Sequence, residues 1–166
     1  MKVLWVDVDS TLSKHYYRIR RNTVDGVISD NAFTPKEVMK DKIIADAGLV
    51  LRLFKIGGWT INVLTARPVK LRQTTMDWLI KYKIPFDMVN CVITMEDKVR
   101  YLKRAIQEHY DSGATEQILI DDFMGGQENR ILKFNCRAYE ACLNIPHLEV
   151  EPFRNNWMEI LFRIVV

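Results

Sequence analysis

Two carboxylates one residue apart, Asp7 and Asp9, stand where the apolar run Val3-Leu4-Trp5-Val6 gives way to polar residues. A catalytic acid belongs at such a junction: residues i and i+2 of an extended chain share a face, so both side chains can flank one reacting atom. Two further apolar runs end in polar groups of a different type. Residues 60–64 stop at Thr65, and residues 117–120 stop at Asp121-Asp122; Lys98 and Lys103 lie on the segment before the latter. Taken singly, each has a plain structural explanation. Acidic residues and threonines commonly cap helices, and an acidic pair suits a solvated loop. His15, His109 and His147 are scattered, and Cys91, Cys136 and Cys142 lack a CxxC spacing. Any metal chemistry therefore falls to hard oxygen ligands, which favours Mg²⁺ over zinc.

The elements that must position these residues follow from periodicity. Unalternating apolar runs at 3–6, 60–64 and 117–120 read as strands buried on both faces, and an open parallel sheet presents ligands at the carboxyl ends of such strands. Residues 15–28, β-prone around Asp25-Gly26, predict a hairpin flap within about 13–33. Thr34-Pro35-Lys36-Glu37 is a strong helix start, and Ile44, Ala47, Leu51 and Phe54 carry that helix to Gly57-Gly58. A helix on Leu71, Thr75, Trp78, Leu79 and Tyr82 follows, then a short strand within 86–93. Thr94-Met95-Glu96-Asp97 has capping-box form and opens a helix striped by Val99, Leu102, Ile106 and Tyr110, broken at Ser112-Gly113. After a Gly125-Gly126 turn the pattern predicts a helix over 128–134, a last strand within 136–143 and a closing amphipathic helix on Phe153, Trp157, Ile160, Leu161 and Ile164, packed on the sheet or on a partner subunit. Strands alternating with helices argue a three-layer α/β/α sandwich around a Rossmann-like, mostly parallel sheet.

The chain has 166 residues, 48% hydrophobic and 27% charged, which suits one domain, 1–166, with a proper core. No repeat or linker divides it. The apolar run at the start is too short for a signal peptide and no stretch is long enough to span a membrane, so a cytoplasmic protein is expected. The net charge of +3 permits a phosphorylated partner without demanding a nucleic acid.

Asp7-Val8-Asp9-Ser10-Thr11-Leu12, Thr65, Lys98 or Lys103, and Asp121-Asp122 occur in the order of the four signatures of the haloacid dehalogenase superfamily of phosphohydrolases, which the chain resembles over residues 3–122. The resemblance implies Mg²⁺-dependent phosphomonoester hydrolysis. Asp7 would attack and carry an aspartyl phosphate, and Asp9 would protonate the leaving group and later deprotonate water. Thr65 would hydrogen-bond a phosphoryl oxygen, with backbone N–H groups assisting and with Val8, Ala66 and Arg67 among the substrate-contacting positions. The metal site implied is Asp7, the backbone carbonyl of Asp9, Asp121 and Asp122. Lys98, in the first turn after the cap, is favoured over Lys103 as the charge-balancing lysine, because Lys103 lies ~7.5 Å further along the helix.

Too few residues separate Thr11 from Thr34 for a separate cap domain, so the site is expected to be open under a minimal cap. Within the family such caps accompany large or polymeric substrates, or a homodimer that covers the site. Arg18 and Arg20 on the flap, with Arg21, Tyr16 and Tyr17, would suit a nucleic-acid end through phosphate contacts and base stacking. The runs Leu64-Thr65-Ala66-Arg67-Pro68 and Ile120-Asp121-Asp122-Phe123 look most like the phosphatase domain of polynucleotide kinases, a 3′-phosphatase-like activity, although no GxxxxGK(S/T) is present. A 5′-nucleotidase or another small-molecule phosphatase is the alternative within the superfamily. A catalytically silent binding protein on the same fold is the alternative from another class.

Overall fold

The computed structural model describes residues 1–125 and 133–165. The chain begins with β1 (Lys2–Val6), whose residues 3–6 are fully buried. There follow α1 (Tyr16–Arg21), a two-residue hairpin β2 (Thr23–Val24) and β3 (Val27–Ile28), a 3₁₀ turn (Asp30–Phe33), α2 (Pro35–Val38) and α3 (Ala47–Ile56). Then come β4 (Trp59–Thr65), α4 (Arg72–Lys81), β5 (Met88–Cys91), α5 (Met95–Asp111) and β6 (Glu116–Asp121). The chain ends with β7 (Met124–Gly125), β8 (Lys133–Phe134), α6 (Cys136–Leu143), β9 (Glu149–Pro152) and α7 (Trp157–Val165).

Five strands form one parallel sheet in the order β5-β4-β1-β6-β9. Side chains alternate across it, as the pleat requires. Leu4 and Val6 of β1 join α3, α4 and α7 in one core, and Val3 and Trp5 join α5 and α6 in the other. That is the three-layer sandwich expected. Strand β1 lies between β4 and β6, with Val6 level with Val63 and Ile120, so the residues after these strands emerge together at one edge. Among the described residues no helix is long and apolar enough to cross a membrane.

The departures from expectation have identifiable causes. The hairpin turns at Asp25 and Gly26, both at positive φ as a two-residue turn demands, but its strands are only two residues long. Residues 16–21 are helical, because Arg18 is drawn into buried ion pairs that a solvated flap strand could not supply. The helix starting at Thr34 is capped by its hydroxyl but stops at Val38. Residues 39–46 leave the helix to serve the neighbouring loop: Lys42 accepts from Lys14 N–H at 2.7 Å, and Ile44 N–H donates to Leu12 at 2.8 Å. Asp46, at φ 64°, then restarts the chain as α3.

The strand expected within 136–143 is instead α6: Asn135 caps it by accepting from Ala138 N–H, and Ala138 and Cys142 bury one helical face. The last strand is β9, further along. Of the helix expected over 128–134, residues 128–132 lie outside the described residues, while Phe134 pairs with Met124 as a strand. The closing helix lies on the sheet, with Trp157 and Ile160 buried beside α3.

Candidate active site

Asp7, Thr65 and Asp121 meet at the carboxyl edge because their strands are neighbours. Carboxylate oxygens of Asp7, Asp121 and Asp122 all lie within 4.8 Å of one another. Lys98 reaches them from the first turn of α5, whose capping box is complete: Thr94 accepts from Asp97 N–H and the Asp97 carboxylate from Thr94 N–H. The buried Lys98 Nζ donates to Asp7 Oδ1 at 2.7 Å and to Asp121 Oδ2 at 2.5 Å. Lys103 is exposed, so Lys98 alone of the two enters the site.

The acidic residues divide by what occupies their oxygens. Asp121 Oδ1 accepts from Phe123 N–H at 2.7 Å and Oδ2 from Lys98, so both its oxygens are engaged. Asp122 Oδ1 accepts from Met124 N–H, but Oδ2 is buried with no partner among the described residues. Burial, against the counter-pull of Lys98, pushes the Asp7 carboxyl up to about 7. Burial and the nearby Asp7 and Asp121 push Asp122 up to about 8. Burial disfavours the Lys98 ammonium, but Asp121 and Asp7 outweigh it and hold its pKa above the usual range.

Asp9 has different company. Arg67 grips it with two bonds, Nη2 to Oδ1 at 2.6 Å and Nε to Oδ2 at 3.0 Å, and Arg18 Nη2 adds a third at 3.0 Å. Both guanidiniums are fully buried and neither lines the crevice. Burial works to raise the Asp9 pKa, yet Arg67 and Arg18 outweigh it and hold the carboxyl well below its ordinary value. Behind them Asp41 takes Arg18 Nε on both oxygens; burial pushes this carboxyl up to about 6 despite the arginine. The backbone carbonyl of Asp41 accepts from Trp78 Nε1 at 2.8 Å and Tyr82 Oη at 3.0 Å, which fixes the segment between α2 and α3.

The open crevice, about 740 Å³, is lined by Asp7, Asp9, Thr65, Ala66, Lys98 and Asp122. Ile28, Phe33, Pro68, Ile93 and Met95 form its apolar walls. Val8 keeps its side chain in the core, so only its backbone can face the site; its carbonyl ties down the N–H groups of Leu12 and Ser13. Arg20 is exposed beside Tyr16 and does not line the crevice. Arg18 and Arg67, expected against substrate, touch Asp9 instead.

Sequence reasoning missed Asp41, His15, Thr11 and Trp157. His15, whose pKa burial lowers, shares a hydrogen bond with Ser10 Oγ at 3.1 Å. Thr11 Oγ1 accepts from Asp122 N–H at 3.2 Å, and Trp157 Nε1 donates to the Thr11 carbonyl at 2.8 Å. No local pattern marks Asp41 or Trp157, since each acts on a partner distant in the chain.

No family model and no curated protein sequence matches the chain. Solved structures do. A chain of the Pnkp1/Rnl/Hen1 RNA repair complex aligns with a TM-score of 0.60 and 18% identity over 92% of this chain and 42% of that one, so this chain spans less than half of it. A hydrolase from Streptococcus pneumoniae TIGR4 aligns over 100% of both chains, with a TM-score of 0.61 and 14% identity. A predicted phosphatase from Clostridium acetobutylicum aligns over 99% of this chain and 98% of that one, with a TM-score of 0.62 and 17% identity. At these identities the likeness is one of fold, shared over nearly the whole chain with the hydrolase and the predicted phosphatase.

Proposed function

We propose that this chain is a Mg²⁺-dependent phosphomonoesterase working through an aspartyl phosphate on Asp7, with a nucleotide or polynucleotide end as substrate. The observation that carries the reading is a buried lysine shared by Asp7 and Asp121 at adjacent strand ends, with Thr65 and Asp122 completing the crevice. A metal fits these residues on their own chemistry. The donors are hard oxygens, three carboxylates face one ammonium, and Asp122 Oδ2 is a buried acceptor without a donor among the described residues. Asp7 and Asp122 would hold the cation, with the Asp9 carbonyl, while Asp121 anchors Lys98. When bound, Mg²⁺ supplies positive charge against the phosphoryl oxygens.

An Asp7 oxygen attacks phosphorus as the bond to the leaving oxygen breaks, and the leaving oxygen departs with the electron pair and takes a proton from Asp9. Asp9 then takes a proton from water, which attacks the aspartyl phosphate, releases inorganic phosphate and restores Asp7. The Thr65 hydroxyl and the N–H groups of Val8 and Ala66 hydrogen-bond the phosphoryl oxygens, and Lys98 balances their charge. The arginine grip keeps the Asp9 carboxyl ionised at neutral pH, which leaves it free to accept a proton but makes it a weak base, and it must be charged with a proton before it can act as the acid.

The nucleic-acid part of the reading rests on the likeness to the RNA repair complex chain and on the Leu64–Pro68 and Ile120–Phe123 runs. The test is phosphate release from p-nitrophenyl phosphate, mononucleotides and 3′- or 5′-phosphorylated oligonucleotides, with and without Mg²⁺. Metal-dependent turnover that Asp7→Asn abolishes is expected. No turnover on any substrate would favour a silent binding protein, and full activity in Asp7→Asn would refute the mechanism. Preference for mononucleotides would assign a nucleotidase.

A further inference from the structure

A second cleft, of about 650 Å³, opens beside the crevice and meets it at Asp122 and Met124, which line both. Ser10, the residue after Asp9, forms part of its wall. So do Phe134 and Tyr139, whose ring centroids lie 5.5 Å apart; Phe134 remains 45% exposed and Phe123 backs both rings. Arg154 also lines it, from the loop leaving β9, at the carboxyl ends of the strands where the crevice of Asp7 also lies. That loop is anchored to the site, since Phe153 N–H donates to the Asp121 carbonyl at 2.9 Å.

The cations of the two clefts differ in availability. Lys98, Arg18 and Arg67 are consumed by Asp7, Asp121, Asp9 and Asp41. Arg154 is exposed and forms no ion pair with a described residue. An aromatic face together with an uncommitted guanidinium is the combination that holds single-stranded nucleic acid: the ring stacks on a base and the arginine meets a backbone phosphate. The volume lies within the usual ~300–1,000 Å³ of ligand sites.

We propose that this cleft is a nucleotide subsite, taking the base and backbone phosphate next to the phosphorylated terminus of a single-stranded oligonucleotide. The proposal rests on the phosphomonoesterase reading for the terminal phosphate, and it adds a site that a mononucleotide or aryl phosphate leaves empty.

The experiment compares kcat/KM for p-nitrophenyl phosphate, a mononucleotide and a tetranucleotide with the same terminal phosphate, in the wild type, Phe134→Leu, Phe134→Tyr and Arg154→Gln. A labelled tetranucleotide is titrated in parallel by fluorescence anisotropy, with Mg²⁺ and with EDTA. The tetranucleotide should exceed the mononucleotide by about tenfold or more in kcat/KM, the scale of one stacked base. Phe134→Leu and Arg154→Gln should each remove most of that preference and weaken tetranucleotide binding, Phe134→Tyr should retain both, and the two small substrates should be unaffected. No oligonucleotide preference, or equal losses on all three substrates, would overturn the subsite while leaving the phosphatase intact. If no substrate turns over, the phosphatase reading fails and the anisotropy decides the cleft. Weaker binding in Arg154→Gln then supports it, and unchanged binding refutes it.

Discussion

Raising the pH of the metal-free protein should unfold it more easily, and the active site sets the size of the effect. The Asp7 carboxyl rises from 3.8 to about 7 on folding, so the folded state holds a proton that the unfolded chain has lost. That stabilisation is fully present below pH 3.8 and disappears as pH rises through 7. Between pH 5 and 7 Asp7 alone accounts for roughly 2 kcal/mol. Asp122, raised from 3.8 to about 8, adds in the same direction and extends the decline to pH 8. Asp41, raised to about 6, adds below that pH. His15 opposes them, because its lowered pKa makes stability rise with pH up to its ordinary value of 6.5. From 6.5 to 8 the decline therefore belongs to Asp7 and Asp122. Asp9, held low, titrates below this window.

The assay is urea unfolding in EDTA followed by fluorescence of the four tryptophans, all buried, at half-unit steps from pH 5 to 8. Mg²⁺ should flatten the curve by stabilising the ionised carboxylates at the upper end, and Asp7→Asn should reduce the slope by about one proton. A stability that stays level or rises from pH 6.5 to 8 in EDTA would refute the electrostatic description of the site.

Asp9→Asn should lower turnover of alkyl phosphates by ~10²–10⁴-fold and of p-nitrophenyl phosphate much less, since the nitrophenolate needs little protonation; equal losses would remove Asp9 from proton transfer. Trp157→Phe deletes the donor to the buried Thr11 carbonyl and should cost about 1–3 kcal/mol. Because Thr11 in turn holds Asp122 N–H, the same variant should weaken Mg²⁺ dependence, measured as a higher half-saturating concentration. Thr94→Ala removes the α5 cap and should lower stability by ~1 kcal/mol in thermal melts, with a modest fall in kcat because Lys98 sits in that first turn.

Much of the fold was legible because its signals are local. Continuous apolar runs gave β1, β4 and β6, and Thr34, Thr94 and Gly57 marked helix ends from nearby side chains alone. The signals failed where a distant group outbid propensity. Residues 16–21 look β-prone but coil as a helix around Arg18, and the stripe that joins Thr34 to Phe54 is interrupted because Asp41 serves Arg18, Trp78 and Tyr82. Residues 136–143 show the converse: short and mixed, they suit strand or helix, and the cap at Asn135 decides.

By itself the sequence determined which residues could carry the chemistry: acids, a threonine and a lysine at or near the ends of buried runs. Tertiary structure decided the partnerships. Parallel pairing of β4, β1 and β6 brings Asp7, Thr65 and Asp121 to one edge, and the first turn of α5 selects Lys98 over Lys103. Only folding turns Arg18 and Arg67 from apparent substrate contacts into the clamp on Asp9. The physical reason is that residue type and local period are properties of a segment, whereas burial and the charge that compensates it depend on groups as far apart in the chain as Asp7 and Lys98.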